Sequence, residues 1–136
     1  NIQSQSTSNP TSISQVAAEV ALNGDQGCMA PMLAAYRQRH RLVVDGLNAI
    51  PGLNCLDAGG AFYAFPDARA AAARMQAAGK IKEASDLALS EYLLLEAGVA
   101  VVPGSAFGAD GYIRLSFATS NANLENALAR MAKALA

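Results

Sequence analysis

The feature that most constrains this chain is a stripe of side chains at three- and four-residue intervals. It reads Met32, Leu33, Tyr36, His40, Val43, Val44, Leu47 and Ile50. Residues spaced this way stand on one face of an α-helix. The spacing predicts a long helix from near Ala30 to Ile50. Pro31 sits in its first turn, where a missing N–H costs nothing, and Pro51-Gly52 stops it. Arg37, Arg41, Asp45 and Asn48 fall mostly off the stripe. So long an apolar face needs another layer to cover it, and the rest of the chain must supply a core. With 52% of 136 residues hydrophobic and 15% charged, the composition can bury one and is not that of a disordered tail.

A second periodicity supplies a strand. In Tyr112-Ile113-Arg114-Leu115-Ser116-Phe117-Ala118, alternate residues point to opposite faces of a sheet. Ile113, Leu115 and Phe117 form a greasy face, and Tyr112, Arg114, Ser116 and Ala118 the other. Shorter strands are expected at Leu53–Leu56, Ala61–Phe65 and Val99–Val102. Residues 1–12 read as a polar loop, with Asn9-Pro10 as a breaker. Thr11 or Ser12 caps a helix to about Asn23, with Ile13, Val16, Ala17, Val20 and Ala21 on one side. Further helices are expected within 68–79, over Asp86–Ala97 behind a Ser85 cap with Gly98 at its end, and after Ser120 or Asn121. Residues 105–111 read as a loop. The order predicts an α+β fold: a small mixed or antiparallel sheet with helices packed on it, preceded by helices. The apolar side of the first helix has no obvious partner within that unit.

Charge and motif content exclude several functions. A net charge of −1 and a pI of about 5.7 leave no basic surplus for nucleic acid. The longest apolar stretch, Cys28 to Tyr36, is far shorter than the roughly 20 residues of a membrane span. The chain opens Asn1-Ile2-Gln3 with neither a positive nor an apolar leader region, which points to the cytoplasm, and without an initiator Met, which points to a processed chain, a fragment or the ordered part of something longer. Cys28 and Cys55 then read as reduced thiols. His40, the sole histidine, has no acid or thiol at ligand spacing, so no metal site is expected, and it reads as packed or surface-bound.

Arg114 is the most informative polar residue. A lone arginine opposite an apolar face needs an anion if it is buried, and its planar fork suits a carboxylate or phosphate. The local pattern leaves open a surface arginine, or one paired with a structural acid. The loop from Val102 to Gly108 has no P-loop ending and reads as a tight connection. Phe62 and Tyr63 read as core or as a pocket wall. Asp86, Glu91 and Glu96 read as ordinary solvated acids. Lys80, Lys82 and Lys133 lack the apolar surroundings that Schiff-base chemistry requires.

Taken in order, five stretches resemble the C-terminal third of the class I/II, fold-type-I aminotransferases, aspartate aminotransferases above all. They are Gln3–Pro10 (Gln-Ser-Gln-Ser-Thr-Ser-Asn-Pro), Leu47–Gly52 (Leu-Asn-Ala-Ile-Pro-Gly), Gly60–Pro66 (Gly-Ala-Phe-Tyr-Ala-Phe-Pro), Val99–Gly108 (Val-Ala-Val-Val-Pro-Gly-Ser-Ala-Phe-Gly) and Tyr112–Ala118. The resemblance implies that Arg114 binds the substrate α-carboxylate and that Phe62 and Tyr63 line the substrate side of the cleft. It places the Ser6–Pro10 loop near the neighbouring subunit's site in a homodimer. It makes 1–28 the tail of a large cofactor domain and 29–136 the small domain with its linking helix. It implies amino-acid and 2-oxo-acid substrates and pyridoxal 5′-phosphate in the parent enzyme. The family's Schiff-base lysine, the aspartate at the pyridine nitrogen and most phosphate ligands lie upstream of Gln3. The chain alone is therefore expected neither to hold the cofactor covalently nor to transaminate. The alternative is a stand-alone carboxylate-binding or regulatory domain without catalysis.

Overall fold

The computed structural model describes Ile2, Gln5 and residues 8–136. Of the expected opening loop, 1, 3, 4, 6 and 7 lie outside the described residues, and with them much of the Gln3–Pro10 stretch. Ile2 and Gln5 are helical, so the opening is not loop throughout. Contacts divide the chain into two compact units, Asn1–Leu33 and Ala34–Ala136.

The first unit contains helix α1, Ser12–Asn23, capped by Thr11, whose hydroxyl accepts from the Ser14 N–H. None of its residues is buried, and Ile13, Val16, Val20 and Leu22 are exposed. Helix α2, Met29–Asn48, begins in the first unit and continues into the second.

In the second unit, α2 buries Val43, Val44 and Leu47, and Ile50 is buried just beyond its end. These are the C-terminal half of the stripe. A three-stranded antiparallel sheet, ordered β1-β3-β2, is built from Tyr63–Ala64, Val102–Pro103 and Ile113–Ser116 in chain order. The central β3 pairs Ser116 with Tyr63 on one edge, and Arg114 with Val102 on the other. Around the sheet are α3 (Arg69–Ala77), α4 (Asp86–Tyr92), a π-turn (Leu93–Ala97), a 3₁₀ turn (Gly104–Phe107) and α5 (Asn121–Ala134). Ser85 and Ser120 cap α4 and α5 through their hydroxyls, as the sequence implies. Ile113 and Phe117 join Leu47, Leu89, Leu93, Met131 and Leu135 in one core.

All four expected strands are shorter than periodicity suggests: Tyr112–Ala118 keeps only Ile113–Ser116, and the other three shorten for local reasons. Over Leu53–Leu56 there is only a bridge from Asn54 to Asp67. The Asn48 side chain bonds both the N–H and the C=O of Cys55, at 2.7 and 2.9 Å, and takes the groups a ladder would use. In Ala61–Phe65 the strand is only Tyr63–Ala64, with the Phe62 carbonyl accepting from the Phe117 N–H just before it, and Ala61, at φ 63°, lies outside extended backbone. At Val99–Val102 the Val99 N–H closes back on Leu93 at 3.1 Å, so the strand starts at Val102. The expected helix Asp86–Ala97 widens into its π-turn at Leu93 and stops at Gly98, which takes φ 61°. Part of the expected 105–111 loop is the 3₁₀ turn.

The two-faced character of β3 yields a prediction. Ile113→Ala removes a fully buried side chain from the central strand and is expected to destabilise the chain by about 2–5 kcal/mol. Val102→Thr, on the exposed face, should shift stability by no more than about 0.5 kcal/mol. Urea unfolding of both variants checks the contrast.

Candidate functional site: an arginine held between aromatic rings

β3 places Arg114 on the face away from the core, and the register puts Tyr63 and Val102 on that same face. The guanidinium carbon lies 4.4 Å from the Tyr63 ring centre and 4.3 Å from that of Phe107. Tyr63 comes from β1 and Phe107 from the turn after β2, so the rings reach the cation from opposite edges of the central strand. Arg114 is half-buried and, among the described residues, makes no ion pair and no side-chain hydrogen bond. Among the described residues there is no structural acid of the kind the sequence left open. The charge is stabilised by the ring faces, and its N–H fork stays available to an incoming anion.

Phe62 does not reach Arg114 directly. It packs on Tyr63, with ring centres 4.5 Å apart, and is partly exposed. Phe65 stacks on Tyr112 at 5.3 Å and meets Phe107 edge-on at 6.4 Å. Tyr112 in turn lies 5.8 Å from the Arg69 guanidinium, which is paired with Asp67. That pairing holds the Asp67 carboxyl below its ordinary range. Sequence reasoning missed Phe107, because a glycine-rich connection carries no sign of where a ring inside it will point.

Asp86 corrects an expectation. It reads as a solvated acid in the sequence but is only 4% exposed. Its carboxylate accepts from the Ser105 N–H at 2.7 Å. Burial alone would raise its pKa. Hydrogen bonds from the Ser105 amide and hydroxyl and the Gly111 amide outweigh that and hold it below the ordinary value. Glu91 and Glu96 are exposed, as expected. Asp86 ties the start of α4 to the turn that carries Phe107. Gly104 completes the tie: its N–H donates to the Tyr112 carbonyl at 2.7 Å, and a Cβ there would overlap the carbonyl oxygens of Ala109 and Tyr112.

His40 is a packed histidine. Its Nε2 accepts from the Ala58 N–H at 3.3 Å, and its ring lies 5.4 Å from that of Phe117. Cys28 is exposed and Cys55 buried, both unpaired. Among the described residues no group of three His, Cys, Asp or Glu could hold a metal, and no helix is long and apolar enough to cross a membrane.

The family model for aminotransferase class I and II covers residues 1–131. The chain belongs to the class I and II aminotransferases. It is similar to an aspartate/prephenate aminotransferase of Nitrosomonas europaea, 56% identical over 99% of this chain and 34% of that protein. An aspartate aminotransferase of Rhizobium meliloti is 48% identical, over 98% and 32%. The crystal structure of the Rhizobium meliloti aspartate aminotransferase superposes with a TM-score of 0.87 at 47% identity, covering 98% of this chain and 33% of that one. The alanine aminotransferase of Pyrococcus furiosus superposes at 0.79 with 27% identity, over 93% and 30%. The chain thus spans about a third of the length of these relatives.

The family implies pyridoxal phosphate in the complete enzyme, but the residues present do not fit its covalent attachment. Lys80, Lys82 and Lys133 are all exposed. They line grooves with Glu83, Glu91 and Glu96 that share no residue with the Arg114 cluster. An attacking lysine needs a desolvated setting that lowers its charge, and none of the three has one.

Asp86 makes the site's framework sensitive to acid. A depressed folded-state pKa contributes stability that is complete above the unfolded value, near pH ~4, and is lost as pH falls through the folded one. Asp86→Asn is expected to cost about 1–3 kcal/mol at neutral pH and to flatten the loss of stability below pH ~4. Urea midpoints measured across pH check this; an acid limb unchanged from the parent chain would show that the carboxylate contributes nothing.

Proposed function

We propose that this chain is the substrate-carboxylate portion of a longer aminotransferase that exchanges an amino group between an amino acid, aspartate in the first instance, and a 2-oxo acid. The observation that carries the reading is an arginine whose fork has no partner among the described residues, fixed on a central strand between Tyr63 and Phe107. A carboxylate can dock on that fork through two parallel charge-assisted hydrogen bonds. Two contacts set the orientation of the bound amino acid as well as its position, and positioning is itself a large part of catalysis. Tyr63 forms one wall of the carboxylate site, and Phe62 extends that wall through its stack on Tyr63. The relatives named for aspartate and aspartate/prephenate transamination support the substrate class.

In this reading residues 1–28 are the tail of the large cofactor domain, and 29–136 are the small domain with its linking helix. The absence of any buried residue in α1 supports it, because those apolar side chains need cover from elsewhere. Pyridoxal phosphate, held by residues upstream, supplies the electron sink for the bond changes at Cα. This chain binds and orients the substrate, and by itself it does not transaminate. The complete enzyme works in the cytoplasm as a homodimer.

The test is Arg114→Lys in the full-length enzyme. Lysine keeps the charge but loses the planar fork. KM for the amino acid is expected to rise by about tenfold to a hundredfold, as for the loss of one charged hydrogen bond. An unchanged KM and kcat/KM would refute the assignment.

A further inference from the structure

We propose that Phe107 is a positioning residue for Arg114, and that Asp86 is the buried strut that aims it. The proposal rests on the carboxylate-binding role of Arg114.

An arginine that is to receive a carboxylate must be ordered while its N–H donors stay free. Left in solvent, its long stem samples many rotamers, and binding must pay for ordering them. A structural acid would order the side chain but would also occupy the donors that the substrate requires. Two aromatic faces order it without that competition. They stabilise the cation through their quadrupoles and take none of its N–H bonds. Tyr63 and Phe107, at 4.4 and 4.3 Å, do this from opposite edges of β3.

The two rings are held differently. Tyr63 lies in β1, and its backbone is fixed by the ladder to Ser116. Phe107 has no ladder. It ends the 3₁₀ turn Gly104–Phe107, is about half exposed, and has Gly108 after it at φ 73°. Its placement depends on how that turn is anchored. Gly104 bonds to Tyr112, Ala109 bonds back to Gly104 at 3.0 Å, and Gly108 bonds to Ser105 at 3.1 Å. The tie from this turn to the helical core is the 2.7 Å bond from the Ser105 N–H to Asp86. Asp86 stands at the first position of α4, one turn before the fully buried Leu89. Among the described residues it has no cationic partner. A buried carboxylate without a cation is costly, and backbone N–H donors are what offset the cost. The turn and the helix start supply those donors, so the position of the turn and the burial of the charge depend on each other.

The experiment uses the full-length enzyme and two readouts: steady-state kinetics with the amino acid, and calorimetric binding of succinate as a carboxylate probe. Phe107→Leu keeps the apolar bulk and removes the π-face. It is expected to raise KM and weaken succinate binding by about threefold to thirtyfold, the range a cation–π contact carries, with a smaller effect on kcat and little change in Tm. Phe107→Tyr restores a ring and should recover most of the lost affinity, which a purely structural role would not require. Asp86→Asn should move KM and succinate affinity in the same direction as Phe107→Leu. Combining the two should cost less than the sum of the singles, because both act through one ring. Arg114→Lys, measured alongside, separates the two ideas. If it weakens binding while Phe107→Leu leaves KM and succinate affinity at the parent values, the positioning role is wrong and the carboxylate reading stands. If Arg114→Lys also changes nothing, the carboxylate reading fails, and this inference with it.

Discussion

Everything in the larger unit depends on β3 being paired along both edges. A central strand can be buried on one face and functional on the other, because each edge supplies backbone partners and neither face has to. Ile113 and Phe117 use the inner face to close the core against α2, α4 and α5. Arg114 uses the outer face. The pairing with β1 and β2 is what brings Tyr63 and Phe107 alongside the arginine from either side. The strand is only four residues long, so its register is set less by the ladder than by the burial of Ile113 and Phe117. A one-residue slip would put Arg114 into the core.

Two charges in this unit illustrate opposite solutions to the same cost. Asp86 is buried and charged, and it is satisfied by N–H donors. Arg114 is half-buried, has no acidic partner among the described residues and is flanked by rings. The first arrangement uses up the charge to build structure. The second stabilises the charge and leaves its hydrogen-bonding capacity free. That difference separates a framework residue from one suited to binding an anionic substrate.

Helices were more legible than strands, and the reasons are local. Thr11, Ser85 and Ser120 sit where caps are expected, and each hydroxyl accepts the N–H three residues on. Gly98 ends a helical run by taking a left-handed conformation that glycine adopts without strain. Strands depend on partners distant in sequence. Apolar runs at Leu53–Leu56 and Val99–Val102 therefore promised more ladder than Asn48 and Leu93 left available. In the site, Arg114 was legible because alternation gives an arginine a direction. Phe107 and Asp86 were not, because neither periodicity nor composition says that a turn residue and a helix-start residue, far apart in the chain, share one hydrogen bond.

By itself the sequence determined the helices with their caps, the two faces of β3, the face on which Arg114 stands, and the family to which the chain belongs. Periodicity, caps and family stretches are properties of neighbouring residues, and they can be read without a fold. Only the tertiary structure decided what surrounds Arg114: no acid among the described residues, a ring on each side, and a buried carboxylate bonded to the turn that carries one of those rings. Those are contacts between distant segments, and they exist only once the core has brought the segments together.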